Sequence, residues 1–244
     1  MSTLKKIVSW SLDLVLPKYC IGCGKENFYV CESCLNRILI LLNTGCFLCG
    51  RRSPTGHVCK RCKNKFHSAL NGLLVSSDWN DLFLRQIIYK YKYNFVKELA
   101  DPLAQIMIKF LEANHFKNLL SANTILIPVP LHKKRLIWRG FNQAELLAQR
   151  ISQHFFIPLD TGVLERSRHT LPQVMIKNQN NRRKNTKGVF KTTAKISDNF
   201  TGLKNKTVIL IDDVCTTSST LEECARILKP LKPKEIWGLV IARG

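Results

Sequence analysis

Carboxylates are scarce in this chain. Its 244 residues carry 17 Asp and Glu against 38 Lys and Arg, a formal net charge of +21. A surface so far from self-neutralisation points to a polyanionic partner: nucleic acid, anionic lipid or phosphorylated ligands. Long apolar runs are missing too. No stretch reaches the ~18 residues of a transmembrane helix, which excludes a helical membrane span. The opening segment, MSTLKKIVSWSLDLVLPKYC, pairs lysines with an apolar patch. Asp13 interrupts that patch and no small-residue cleavage site follows, so it does not read as a secretion signal. Its apolar positions Leu4, Ile7, Val8, Leu12, Val15 and Leu16 fall mostly on one helical face, expected to pack on the protein itself. The expected location is cytoplasmic. An apolar fraction of 45% is ordinary, so disorder is not the default, and the length suits one α/β domain plus a small module.

What is abundant is cysteine. Eight of the ten cysteines form CxxC pairs: Cys20/Cys23, Cys31/Cys34, Cys46/Cys49 and Cys59/Cys62. Two such pairs complete a tetrahedral four-sulfur site, so four pairs imply two structural zinc ions. Disulfides fit poorly where no secretion signal is present. The sequence leaves the pairing open. A sequential arrangement (20/23/31/34 and 46/49/59/62) and a cross-braced one (20/23/46/49 and 31/34/59/62) satisfy the count equally. A module this short buries little core, so the metals should supply its folding energy. Cys215 and Cys224 read as small apolar residues. The expected division is residues 1–66 for the N-terminal helix and zinc module, and 67–244 for the α/β domain.

Chemistry concentrates in Thr207 to Leu221, TVILIDDVCTTSSTL. Val208 to Ile211 reads as a buried parallel strand. It ends in Asp212 and Asp213, then a loop of small hydroxyl residues, Thr216 to Thr220, then a helix, LEECARILKPL. Loop N–H groups and a helix N-terminus favour a phosphate. The carboxylates can accept hydrogen bonds from vicinal sugar hydroxyls. Upstream, Ile125 to Ile127 reads as a second parallel strand. Pro128-Val129-Pro130 turns out of it, and Lys133, Lys134, Arg135 and Arg139 follow before a helix near Asn142, either as ligand cations or as an exposed basic turn. Cations after a strand of an α/β sheet sit where ligands bind. Residues 68–95 read as a strand and a helix, in which Tyr89, Lys90, Tyr91, Lys92 and Tyr93 mix aromatic and basic side chains. That mix suits stacking on bases as much as packing. A further helix covers 97–112.

The strand-acid-hydroxyl segment resembles the PRPP-binding motif of type I phosphoribosyltransferases (PRPP is 5-phosphoribosyl 1-pyrophosphate). With PVPLHKKRLIWRGFNQAELLA, PQ…NRRKNTKGVF and the four CxxC pairs, the whole chain resembles the ComF family of competence-associated, phosphoribosyltransferase-like proteins. The resemblance implies a parallel sheet flanked by helices behind a double zinc ribbon. It implies a protein that handles incoming single-stranded DNA in natural transformation, with a site for PRPP and Mg²⁺ or a phosphorylated nucleotide. Asp212 and Asp213 would bind the ribose hydroxyls, and Cys215, Thr216, Thr217, Ser218, Ser219 and Thr220 the 5′-phosphate. Arg135 and Arg139 would serve the pyrophosphate, with Asn142 and Gln143 orienting them or the ligand. Gln173, Arg182 and Asn185 lie in a basic segment, 165–188, that would close over the site. The family usually has Gly where Ser218 stands, and a positive φ there would strain Ser by about 1 kcal/mol. No separate general base stands out. Three readings follow: a DNA-handling binding protein, an active phosphoribosyltransferase on a nucleobase or other small acceptor, and an adaptor docking a DNA-uptake helicase or membrane channel.

Overall fold

A computed structural model describes residues 18–42, 45–53, 55–114, 116, 119–168, 188–193 and 202–244. The Leu4–Leu16 face, and Gln173, Arg182 and Asn185, lie outside the described residues.

The β-branched runs build the centre. Strands β1 (Gly72–Asp78), β2 (Thr124–Pro128), β5 (Thr207–Ile211) and β7 (Glu235–Arg243) form a parallel sheet in the order β1-β7-β5-β2. Every residue of β2 and β5 is buried, as expected of strands covered on both faces. Alternation sorts the side chains. Ile209 and Ile211 join one core, with Trp237, Leu239 and Ile241 and the helices α3 (Leu82–Tyr93), α4 (Ala100–Ala113) and α6 (Gln143–Phe155). Val208 and Leu210 join the other, with Val240 and the apolar side of α7 (Ser219–Leu228). A short pair, β3 (Leu164–Arg166) and β4 (Phe190–Thr192), runs antiparallel beside α7. These strands bracket the basic segment expected to close over the site, of which residues 169–187 are not described.

The cysteine pairing is sequential. Cys20, Cys23, Cys31 and Cys34 converge in one cluster, and Cys46, Cys49, Cys59 and Cys62 in the other. Helix α1 (Glu32–Leu35) carries Cys34, and α2 (Lys60–Phe66) carries Cys62. Both clusters pack on the α/β core. Leu35 and Ile38 join the core on one face of the sheet, while Cys46, Phe47 and Cys62 join the other. Between them the chain covers the free edge of β1. Leu41 N donates to Ser76 O at 3.0 Å, Val58 N donates to Asn71 O at 2.7 Å, and Ile40 and His57 bridge antiparallel to Ser77 and Gly72. An edge strand is thereby closed against pairing with other chains. Gly72 is needed at this seam, because a Cβ there would lie 2.2 Å from the Trp237 ring and 2.5 Å from Gly56 O.

Two local elements depart from the sequence reading. The basic stretch after β2, to which the sequence assigns no helix before Asn142, is itself a helix, α5 (Lys133–Arg139). The His132 side chain caps its N-terminus, accepting from Lys134 N, and Gly140 ends it at φ 80°. None of its residues is buried, so no apolar stripe announced it. The C-terminal helix starts at Ser219, two residues early, because Ser218 already turns the chain. It passes into a 3₁₀ turn at Lys229–Leu231.

Candidate functional site

Neighbouring parallel strands β2 and β5 deliver both motifs to the carboxyl edge of the sheet, the usual place for ligands in open α/β sheets. A cavity of about 570 Å³ opens there. Arg135, Arg139, Asn142, Gln143, Asp212, Asp213, Cys215, Thr216, Ser218, Ser219 and Thr220 all line it. Thr217 does not. The αL turn at Ser218 carries it to the far side of the loop, where it lines a second cleft and its hydroxyl lies 2.6 Å from that of Ser219.

The acidic pair is held by its own backbone. Asp212 Oδ1 accepts from Asp213 N at 2.9 Å, and Asp213 Oδ1 accepts from Val214 N at 2.6 Å. Lys92 of α3 completes the arrangement, its Nζ 2.9 Å from Asp213 Oδ1. Burial, then the neighbouring Asp213 charge, push the Asp212 carboxyl up to about 7, against the pull of Lys92. After Asp213 the chain makes β6 (Val214–Cys215), which pairs with the end of β7 and fixes the origin of the loop.

Ser218 adopts φ 60°, ψ 2° and is buried. The strain expected of a non-glycine residue at this position is therefore present. The Cys215 thiol faces the Ser218 hydroxyl at 3.5 Å, and Ser218 O accepts from Glu222 N at 2.9 Å. Burial pushes both Cys215 and Cys224 thiols up, in keeping with inert, core-like cysteines.

Desolvation lowers the pKa of Arg135 and Arg139, yet guanidinium stays charged, so the cavity holds partly buried positive charge. The Gln143 Nε2 and Arg139 Nε donors are buried without a protein acceptor. Gln143 is 3% exposed and lines the cavity. Asn142 is committed to structure: its amide donates to Val129 O and its oxygen caps α6 by accepting from Ala144 N, both at 3.2 Å.

Several lining residues lie outside those the sequence assigns to the phosphoribosyl site, among them Tyr89, Lys92 and Tyr93, which it offers for base stacking or packing. Arg85, Ile88, Tyr89, Lys92 and Tyr93 form one wall, and Arg166 of β3 another. Their signal was periodic: positions 85, 88, 89, 92 and 93 share one helical face. Tyr91, one step round, is core, and its hydroxyl donates to Gln143 O at 2.9 Å.

Each cysteine cluster suits one zinc ion. All four sulfurs of a cluster lie within 4.8 Å of one another, with Cys23 and Cys31 Sγ 3.5 Å apart and Cys49 and Cys59 Sγ 3.7 Å apart. Tetrahedral Zn–S bonds require separations of about 3.8 Å. The second cluster reaches the phosphate-type loop. Glu222 of α7 accepts from Ser68 Oγ and, at 2.8 Å, from Ala69 N, just beyond α2. Arg243 at the end of β7 donates to Phe47 O.

Family models match in two places: a phosphoribosyl transferase domain over residues 142–243 and a double zinc ribbon domain over residues 11–63. Competence protein F of Haemophilus influenzae is 27% identical over 226 residues, 87% of this chain and 96% of that protein. The DNA utilization protein YhgH of Escherichia coli O157:H7 is 29% identical over 222 residues, 88% and 92% of the two chains. Competence protein ComFC of Bacillus subtilis is 27% identical over 218 residues, 84% and 79%. Two four-cysteine sites, a parallel sheet with a phosphoribosyl transferase domain, and likeness along nearly the whole length to competence proteins F and ComFC agree with the resemblance of this chain to the ComF family.

Proposed function

We propose that this protein serves DNA uptake in natural transformation, handling the imported single strand on the cytoplasmic side, and that its cavity binds PRPP with Mg²⁺. The observation that carries the reading is the convergence of Asp212, Asp213, Arg135, Arg139, Thr216, Ser218, Ser219 and Thr220 on one cavity. In it, Asp212 and Asp213 accept from the ribose hydroxyls. The loop N–H groups and the start of α7 hold the 5′-phosphate. Arg135 and Arg139 face the pyrophosphate as charge-assisted donors, and Gln143 Nε2 supplies a further buried donor. The excess of 38 basic over 17 acidic residues supports a polyanionic partner of the whole molecule. The names of the curated relatives, competence and DNA utilization proteins, support the same assignment.

A catalytic reading draws on the desolvated arginines, which are placed to stabilise a departing pyrophosphate. The anomeric carbon would lose pyrophosphate through an oxocarbenium-like transition state as an acceptor attacks. Calorimetric titration with PRPP and Mg²⁺, alone and with single-stranded DNA present, tests the binding reading. Binding lost in the Asp212→Asn/Asp213→Asn variant is the expected result, and a variant that binds as the parent does overturns it. Pyrophosphate release from PRPP in the presence of an acceptor separates enzyme from binder.

A further inference from the structure

The mouth of the cavity carries an aromatic surface that neither the acidic pair nor the hydroxyl loop uses. Tyr89 and Tyr93, one turn apart on α3, have ring centroids 4.9 Å apart with planes inclined at 39°. They are 61% and 42% exposed although both line the cavity. Beside Arg139, α5 presents Trp138, also 61% exposed, whose ring meets Phe95 edge-on at 4.7 Å. Arg139 links the two aromatic groups: it lines the cavity together with Tyr89 and Tyr93, and its guanidinium carbon lies 6.0 Å from the centroid of the Trp138 ring. Three large rings standing in water at one rim are unusual, because aromatic side chains otherwise supply much of a protein's buried apolar area.

The setting of these rings decides what fits them. Lys90 on α3 and Lys133 and Lys134 on α5 are exposed on the helices that carry the rings, and Arg135 and Arg139 line the cavity with Tyr89 and Tyr93. An apolar protein surface would leave these cations desolvated and unpaired, whereas a single strand offers bases to the rings and phosphates to the cations. We propose that Tyr89, Tyr93 and Trp138 form a base-stacking platform for single-stranded DNA, which passes across the mouth of the cavity with its phosphates on the α3 and α5 cations. This rests on the DNA-handling reading above and adds to it a location and a mode of contact. Stacking makes no distinction among base sequences, as bulk handling of imported DNA requires.

Fluorescence anisotropy of the full-length, zinc-loaded protein with a 5′-labelled (dT)₁₅ and with an abasic 15-mer of equal charge tests the platform. The expected result is tighter binding of (dT)₁₅ by about tenfold or more, the range for base-aromatic stacking. Tyr89→Ala/Tyr93→Ala and Trp138→Ala should each lose most of that preference while keeping the salt-dependent binding common to both probes. The Tyr→Phe and Trp→Phe versions should retain it, since each keeps a stacking ring. Equal affinity of the parent for the two probes, or a preference that survives both alanine variants, overturns the platform and leaves DNA handling in place. Failure to bind either probe overturns both. Preference for (dT)₁₅ in a protein that does not bind PRPP leaves the platform standing and removes only the pocket assignment.

Discussion

Lys92 Nζ lies 2.9 Å from Asp213 Oδ1, so a cation from α3 is paired with one of the two carboxylates expected to meet a ribose. Both side chains are largely out of solvent, at 21% and 10% exposure. The pair neutralises charge that would otherwise be concentrated on Asp212 and Asp213. Lys92→Met leaves a buried carboxylate without its cation and should cost about 2–3 kcal/mol, read as a lower denaturation midpoint. Arg85→Met, on the same helix face without a carboxylate partner among the described ion pairs, should cost less. Equal losses in the two variants would remove the special role of the Lys92–Asp213 pair.

The Asp212 carboxyl, pushed up to about 7, should make stability fall as pH rises. In the unfolded chain an aspartate titrates near its ordinary value of about 3.9. Between that value and about 7 the folded state therefore binds more protons than the unfolded one, and ∂ΔG/∂pH is negative. Melting temperature followed from pH 5 to pH 8 should decline from this contribution, and Asp212→Asn should flatten the profile. PRPP with Mg²⁺ favours the ionised carboxylate, so its affinity should rise across pH 6 to 8. Titration in buffers of different ionisation enthalpy should register proton release. Proton uptake on binding would contradict the assignment.

The loop 212–220 could be located from sequence because strand, acidic pair and hydroxyl run are contiguous, so local pattern alone sets their order. Even the consequence of Ser218 was readable, and its φ of 60° bears this out. Other features depend on how distant elements pack. Sequential and cross-braced cysteine pairings satisfy zinc equally, and only the path of the chain along the free edge of β1 decides between them. Lys92 and Arg166 reach the cavity through the docking of α3 and β3, which no nearby motif records. The helix α5 went unread for a different reason: with no residue buried it has no apolar period, and it is defined by His132 and Gly140 at its ends. Thr217, motif-perfect by position, faces away because the turn at Ser218 rotates it out.

Ser218→Gly should stabilise the protein modestly. A serine Cβ in the αL region costs about 1 kcal/mol, and glycine returns part of this as greater freedom of the unfolded chain. The net gain should be about 0.5 kcal/mol, or ~1–2 °C in melting temperature. Ser218→Val places a β-branched residue at the same φ and should destabilise by more than 1 kcal/mol. A Gly variant less stable than the parent would mean that the Cys215–Ser218 contact outweighs the strain.

The two zinc sites should differ in what their loss does to the cavity. The parent should hold two zinc ions per chain, and Cys34→Ser or Cys62→Ser should each reduce that to one, measured by plasma emission. Either loss should cost about 3 kcal/mol or ~10 °C, since the first cluster is anchored to one core through Leu35 and Ile38 and the second joins the other core through Cys46 and Cys62. Among the described residues, only the second cluster is tied to the ligand loop, through Ser68 and Ala69 on Glu222 and through Phe47 on Arg243. Gly244 N, the residue after Arg243, donates to Cys215 O at 2.9 Å and extends that tie into the loop itself. Cys62→Ser should therefore weaken PRPP binding by about tenfold at temperatures where the sheet is still folded, roughly the value of one or two lost loop contacts. Cys34→Ser should leave the affinity within about twofold, its cluster lying on the opposite core. Equal loss of affinity in the two variants would show that zinc supports the cavity only through global stability.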